Sequence, residues 1–281
     1  MKVLITGANG QLGYDVVKLL QAQKIHVMGC NREMLDITDD VACVQAVQLY
    51  RPNVVVHCAA YTAVDEAEID VEKAYRVNAV GTRNIVVAAE AIGAKIVYIS
   101  TDYVFDGFTQ SPYHEYDHTN PQSVYGKSKR AGEVLVQSLS SRYFIVRTSW
   151  VFGVKGHNFV KTMIKLSSEQ TQISVVNDQI GSPTYTADLA HFISHLMITD
   201  RYGIYHASNT GECSWYEFAC EIFYQLGKKI DIIPCTTDEF PRTAPRPKYS
   251  VMSTVYMQAN DFLPFSNWKD ALTRFLAAYK S

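Results

Sequence analysis

A doubly wound α/β fold is predicted by three observations in this sequence. Short β-branched runs alternate with helical stretches through the first half. The strand runs are almost continuously apolar, which marks strands buried on both faces of a parallel sheet. A glycine-rich turn joins the first strand to the first helix. Ligands of such sheets bind at the carboxyl ends of the strands. The expected architecture is Rossmann-like, with a smaller C-terminal lobe packed against the strand ends and closing a cleft.

The elements follow in order. Val3-Leu4-Ile5 reads as a strand and residues 12–21 as a helix. Residues 25–28 read as the second strand and 39–49 as the second helix. Val54-Val55-Val56 is the third strand, followed by one long helix over 71–91. A strand over 95–99, a helix over 123–139 and a strand over 143–146 complete the first half. Past Trp150 the rhythm changes: strand candidates thin out to 173–176 and 230–233, and prolines gather between Pro234 and Pro247. The predicted division is therefore 1–150 as a dinucleotide-binding domain and 151–281 as mainly a substrate-binding lobe, with segments crossing between them.

Composition narrows the function. The 281 residues are 47% apolar and 19% charged, with a net charge of -2. This balance argues against a general nucleic-acid or membrane-surface protein, so an anionic ligand needs a local cationic site. The longest apolar runs fall far short of a membrane span. The first strand reaches Gly7 too soon for a secretory leader. Six cysteines without CxxC or zinc spacing read as reduced core residues, which places the chain in the cytoplasm.

The turn Gly7-Ala8-Asn9-Gly10-Gln11-Leu12-Gly13 leaves a strand and opens a helix. Glycines there let backbone N–H groups approach a pyrophosphate, and the helix N-terminus adds partial positive charge. Gly7, Gly10, Gln11 and Leu12 are thus candidate cofactor contacts; the alternative is a plain structural turn. After the second strand comes Asn31-Arg32, where many NAD sites carry an acid for the ribose 2′-OH. Arg32 in that place suits a 2′-phosphate, and Asp36 with Ile37 faces the adenine. The expected cofactor is NADPH or NADH, with NADPH at least as good.

Tyr125-Gly126-Lys127-Ser128-Lys129 opens the helix over 123–139 and sets Tyr125 and Lys129 four apart on one face. A nearby ammonium is expected to lower the phenol's pKa and make the pair an acid–base group. Thr101 lies at a strand's carboxyl end, where its hydroxyl reaches a substrate oxygen.

Together these segments resemble the extended short-chain dehydrogenase/reductase superfamily, and within it the dTDP-4-dehydrorhamnose reductase family. The resemblance spans nearly the whole chain. Its specific motifs are the run from Cys58 to Glu68, Asn78-Ala79, the run from Ser100 to Gly107, Arg147-Thr148-Ser149-Trp150-Val151, the run from Asp178 to Thr184, and Pro245-Arg246-Pro247. It implies NAD(P)H-dependent reduction of the C4 keto group of dTDP-4-dehydro-6-deoxy-L-mannose to dTDP-L-rhamnose. It implies Thr101, Tyr125 and Lys129 as catalytic residues, and Ala59, Ala60 and Tyr61 as cofactor contacts. Thr62, Tyr103, Val104 and Trp150 would face the sugar or its nucleotide. Arg246, with Arg242 and Lys248 nearby, is the expected partner of the diphosphate. Asn78 would hold a water or a helix bend. Some members dimerise through acids on magnesium; Asp15 and Asp188 resemble two of those acids, which makes Mg2+ and a homodimer further implications.

Two rivals differ in class. A 4,6-dehydratase needs an Asp-Glu pair after the threonine, but here Tyr103 follows Thr101-Asp102. An epimerase would keep its cofactor unchanged. A regulatory subunit of methionine adenosyltransferase would use the fold for binding alone, and the complete Thr101, Tyr125 and Lys129 set speaks against it.

Overall fold

The structure is a computed structural model and describes residues 1–280. The first half forms β1 (Lys2–Thr6), α1 (Gln11–Ala22), β2 (His26–Cys30), α2 (Asp40–Tyr50) and β3 (Val54–His57). It continues through α3 (Val64–Ile69), α4 (Val71–Tyr75), α5 (Thr82–Ala91), β4 (Lys95–Thr101), α6 (Val124–Leu139) and β5 (Tyr143–Thr148). The second half adds β6 (Val151–Phe152), α7 (Phe159–Glu169), β7 (Gln172–Val176), β8 (Ile180–Gly181), β9 (Thr184–Tyr185) and α8 (Thr186–Leu196). Then come β10 (Gly203–His206), β11 (Cys213–Ser214), α9 (Trp215–Leu226), β12 (Asp231–Cys235), α10 (Val255–Ala259) and α11 (Trp268–Lys280). No helix among the described residues is long and apolar enough to cross a membrane.

Six strands make one parallel sheet in the order β10-β5-β4-β3-β1-β2. Successive strand side chains point to opposite faces. Val3, Ile5, Val54 and Val56 therefore join α1 and α8 in one apolar cluster. Leu4 and Val55 meet α2, α5 and α6 in another. Both faces are covered, which is why these strands carry no polar alternation. A third cluster, around Phe152, Ile173, Phe218 and Phe275, is built wholly from elements beyond residue 150. The chain crosses back: α8 and β10 lie beyond residue 150 yet build the main sheet layer, with β10 paired to β5.

The long helix expected over 71–91 is interrupted. Between α4 and α5, residues Arg76–Gly81 form a π-helical turn. The wider turn accompanies an inward Asn78, whose side chain bonds the Tyr61 backbone and Ser128 rather than solvent.

Candidate active site

A cleft of about 710 Å³ opens at the carboxyl ends of the strands, with walls from both halves of the chain. On one side lies the glycine turn. Gly7 has φ +67°, and a Cβ there would sit 2.7 Å from the Ala59 nitrogen. A Cβ on Gly13 would sit 2.2 Å from the Gly7 carbonyl oxygen. Larger residues would push the turn away from β3 and from α1. Gly10 is the N-cap of α1, so Gln11 and Leu12 begin the helix at the cleft. Gln11 Oε1 also accepts from Asn158 Nδ2 at 2.9 Å, tying this turn to the start of α7. Arg32, Asp36 and Ile37 line the same end. The Arg32 side chain is 75% exposed and lies 3.7 Å from the Asp36 carboxylate. Hydrogen bonds from Thr38 hold that carboxyl below its ordinary pKa. Ala59, Ala60 and Tyr61 follow β3 along the floor.

The opposite wall carries the chemistry. Ser123 caps α6 by accepting from the Gly126 N–H at 3.1 Å. A Cβ on Gly126 would lie 2.2 Å from the Tyr103 carbonyl oxygen, so this glycine lets the start of α6 press against the β4 end. That contact brings Tyr125 beside Thr101, whose hydroxyl bonds the phenol. The Thr101 Oγ1 also lies 3.0 Å from Asp102 Oδ1 and accepts from the Tyr103 N–H at 3.2 Å. Lys129, 2% exposed, donates from Nζ to the Ile99 carbonyl at 2.7 Å and lies over the Tyr98 ring.

The protonation pattern corrects one expectation. Burial pushes the Tyr125 phenol up to about 12, partly offset by the Thr101 hydrogen bond. The lysine does not hold it low; burial instead brings the Lys129 ammonium down to about 7, opposed by the Glu133 carboxylate. A phenol whose pKa is raised keeps its proton at neutral pH, which is the form a proton donor needs.

Thr62, Tyr103 and Trp150 line the cleft beyond Tyr125. Trp150 adopts φ +46°, a strained conformation for a bulky residue. It is held there by stacking on Trp215 at 3.5 Å and by Gly181, where any Cβ would strike the indole. Val104 differs from expectation. It is fully buried with Phe105, Tyr113 and Met252 and does not line the cleft, because the turn after Asp102 points its side chain into that cluster. Arg246 lies near Tyr103 but is held by Asp65, 2.9 Å from its Nη2.

Other residues at the site had no role assigned from sequence. Asp102 is 2% exposed, lines the cleft, and burial pushes its carboxyl up to about 6. Glu133 is fully buried and accepts from Ser100 Oγ at 2.6 Å and from Arg147 Nε and Nη2 at 2.9 Å each. This ties α6 to β4 and β5 directly beneath Thr101. The spacing Tyr125, Lys129, Glu133 repeats every four residues and placed all three on one face. Cys58 borders the cleft, but burial lifts its thiol to about 12, so it is no nucleophile.

The glycine cradle and the α1 N-terminus fit a dinucleotide. The acids implied for magnesium do not fit that ion. Asp15 accepts from the Thr186 hydroxyl. Asp188 is clamped by Arg274 at 2.6 and 2.7 Å and bonded by Asn209 at 2.7 Å. Among the described residues no three His, Cys, Asp or Glu side chains gather as a metal site.

The sequence profile described as RmlD substrate binding domain matches residues 1–281. The chain belongs to this family. It is 43% identical to the spore coat polysaccharide biosynthesis protein SpsK of Bacillus subtilis, covering 98% of this chain and 96% of that one. It is also 43% identical to a dTDP-4-dehydrorhamnose reductase of Streptomyces griseus, covering 98% and 93%. A dTDP-4-dehydrorhamnose reductase from Bacillus anthracis, solved in complex with NADP, superposes with a TM-score of 0.97 at 49% identity over 99% of both chains.

Proposed function

We propose that this family member reduces the C4 keto group of dTDP-4-dehydro-6-deoxy-L-mannose to give dTDP-L-rhamnose, using NADPH or NADH, in the cytoplasm. The observation that carries the reading is Tyr125, Thr101 and Lys129 converging in one cleft with the glycine turn. The names of the relatives supply the substrate. Gly7, Gly10, Gln11, Leu12, Ala59, Ala60 and Tyr61 hold the cofactor, and Arg32 meets a 2′-phosphate. When bound, the reduced nicotinamide supplies the hydride. Tyr125 donates its proton to O4 as negative charge develops there, and Thr101 adds a hydrogen bond to the same oxygen. Lys129 orients the nicotinamide ribose. Thr62, Tyr103 and Trp150 position the sugar nucleotide, while Arg246 leaves Asp65 for the diphosphate. Asp102 followed by Tyr103 rather than glutamate supports reduction over dehydration.

The test is direct. The purified protein is mixed with dTDP-4-dehydro-6-deoxy-L-mannose and NADPH or NADH, and loss of nicotinamide absorbance is followed. Stoichiometric oxidation with formation of dTDP-L-rhamnose is expected. Sugar conversion without net cofactor oxidation would make it an epimerase. A homodimer belongs to the same reading, and its mass in solution with and without a chelator checks it.

A further inference from the structure

Beneath the cofactor side of the cleft runs a line of polar side chains that the reaction does not use. His57 ends β3 and is 1% exposed. Its Nδ1 lies 2.7 Å from Thr6 Oγ1, and its Nε2 lies 3.2 Å from Thr82 Oγ1. Thr82 in turn donates to the Asn78 carbonyl at 2.7 Å, and the Ala59 N–H donates to Thr6 Oγ1 at 3.2 Å.

A threonine hydroxyl has one proton to give. That of Thr82 goes to Asn78, so its oxygen can only accept from His57. Nε2 therefore carries the ring proton, and Nδ1 accepts from Thr6. The Thr6 oxygen is left to accept from Ala59. Burial holds the imidazole neutral, bringing its pKa down to about 3, so this tautomer persists throughout the physiological range.

The line continues to the cofactor floor. The Asn78 side chain accepts from the Tyr61 N–H at 2.8 Å and donates to the Tyr61 carbonyl at 3.0 Å. Both ends of the 59–61 segment are thus gripped, Ala59 by Thr6 and Tyr61 by Asn78, with His57 between the two grips. Ala59 is also the residue against which Gly7 closes.

We propose that His57 is a positioning residue for the cofactor, coupling Thr6 to Thr82 and Asn78 so that Ala59–Ala60–Tyr61 is set against the glycine turn. This rests on the nicotinamide reading above. A mere core filler of the same shape would support the sheet equally well, and replacing its imidazole would leave NADPH affinity where it was. Thr82 itself does not line the cleft.

The experiment titrates NADPH by fluorescence into the wild-type protein and the variants Thr82→Val, His57→Phe and His57→Gln, with Tm and the sugar-nucleotide KM recorded alongside. Losing the two buried hydrogen bonds of Thr82, to His57 and to the Asn78 carbonyl, should weaken NADPH about 3- to 10-fold in Thr82→Val. The sugar-nucleotide KM should stay within about twofold. His57→Phe should weaken NADPH at least as much, and His57→Gln, whose amide still donates toward Thr82, should recover part of the loss. An unchanged NADPH Kd in Thr82→Val, with Tm alone lowered, overturns the proposal. Because Thr82 also bonds Asn78 directly, the His57 variants decide the matter: an NADPH Kd unchanged in His57→Gln and His57→Phe overturns the proposal as well, and the milder His57→Gln keeps the test open if His57→Phe does not fold. Absence of NADPH and NADH binding in the wild-type protein would instead count against the reductase reading.

Discussion

Burial pushes the Tyr125 phenol up to about 12 and the Lys129 ammonium down to about 7. The phenol therefore keeps its proton throughout the working range, and the titrating partner is the lysine. Its charged form lies on the acid side, so kcat/KM for the reduced cofactor should decline as pH rises past about 7. Lys129→Met should abolish that limb, and a profile flat from neutral to alkaline pH would contradict it. The same burial acts on stability. Between about 7 and the ordinary value of 10.5 the unfolded chain holds a proton there that the folded chain has lost. The destabilising cost of burying Lys129 is thus largest at low pH and fades across that window. Tyr125→Phe keeps the ring and removes the proton, so kcat should fall about 10²- to 10⁴-fold with cofactor binding intact. Thr101→Val should cost less, since it deletes a hydrogen bond but no donor of the transferred proton; rapid-quench assays with both variants rank the two. Arg32→Ala should weaken NADPH more than NADH, because only the former has a 2′-phosphate to lose. Equal losses in Kd would detach Arg32 from the site.

At the scale of elements, the site depends on how closely α6 approaches the end of β4. Gly126 makes that approach, since a Cβ would meet the Tyr103 carbonyl at 2.2 Å with backbone on both sides. Gly126→Ala should therefore displace the first turn of α6, and Tyr125 with it. A kcat loss of at least about 10²-fold is expected, of the size that misplacing a reacting group brings. Circular dichroism should remain native, and near-normal kcat would show that α6 can shift without cost. The helix face was legible from the spacing of Tyr125 and Lys129. Its depth was not, because the same spacing suits an exposed face; the Glu133–Arg147–Ser100 bonds that pin it join residues from three separate elements. The break of the 71–91 helix was hidden for the same reason. Asn78 suits a helix locally, and its partners Tyr61 and Ser128 are distant in sequence.

At the scale of the whole molecule, two halves are joined by a crossing chain and by a few polar ties. Arg274 on α11 reaches Asp188 on α8, occupying the carboxylate with a guanidinium. With the arginine side chain 40% exposed, the pair is worth about 1 kcal/mol. Arg274→Ala should lower Tm by about 2–4 °C. EDTA should leave Tm and turnover unchanged, and a chelator-sensitive Tm would show a metal at this face.

The sequence by itself determined the strand and helix order of the first half apart from the break at 76–81, the glycine turn, the Tyr125–Lys129 face and the strand-end position of Thr101. Each of these follows from local chemistry: apolar periodicity, the freedom of glycine, and side chains four apart on a helix. Only the tertiary structure decided what long-range burial and pairing control. It turned Val104 into the core, placed Arg246 on Asp65 and bonded Asp188 to Arg274. It brought β10 back beside β5, and it set the protonation of Tyr125 and Lys129 by desolvation rather than by their mutual spacing. Desolvation depends on everything packed around a group, and a spacing of four residues says nothing about that surrounding.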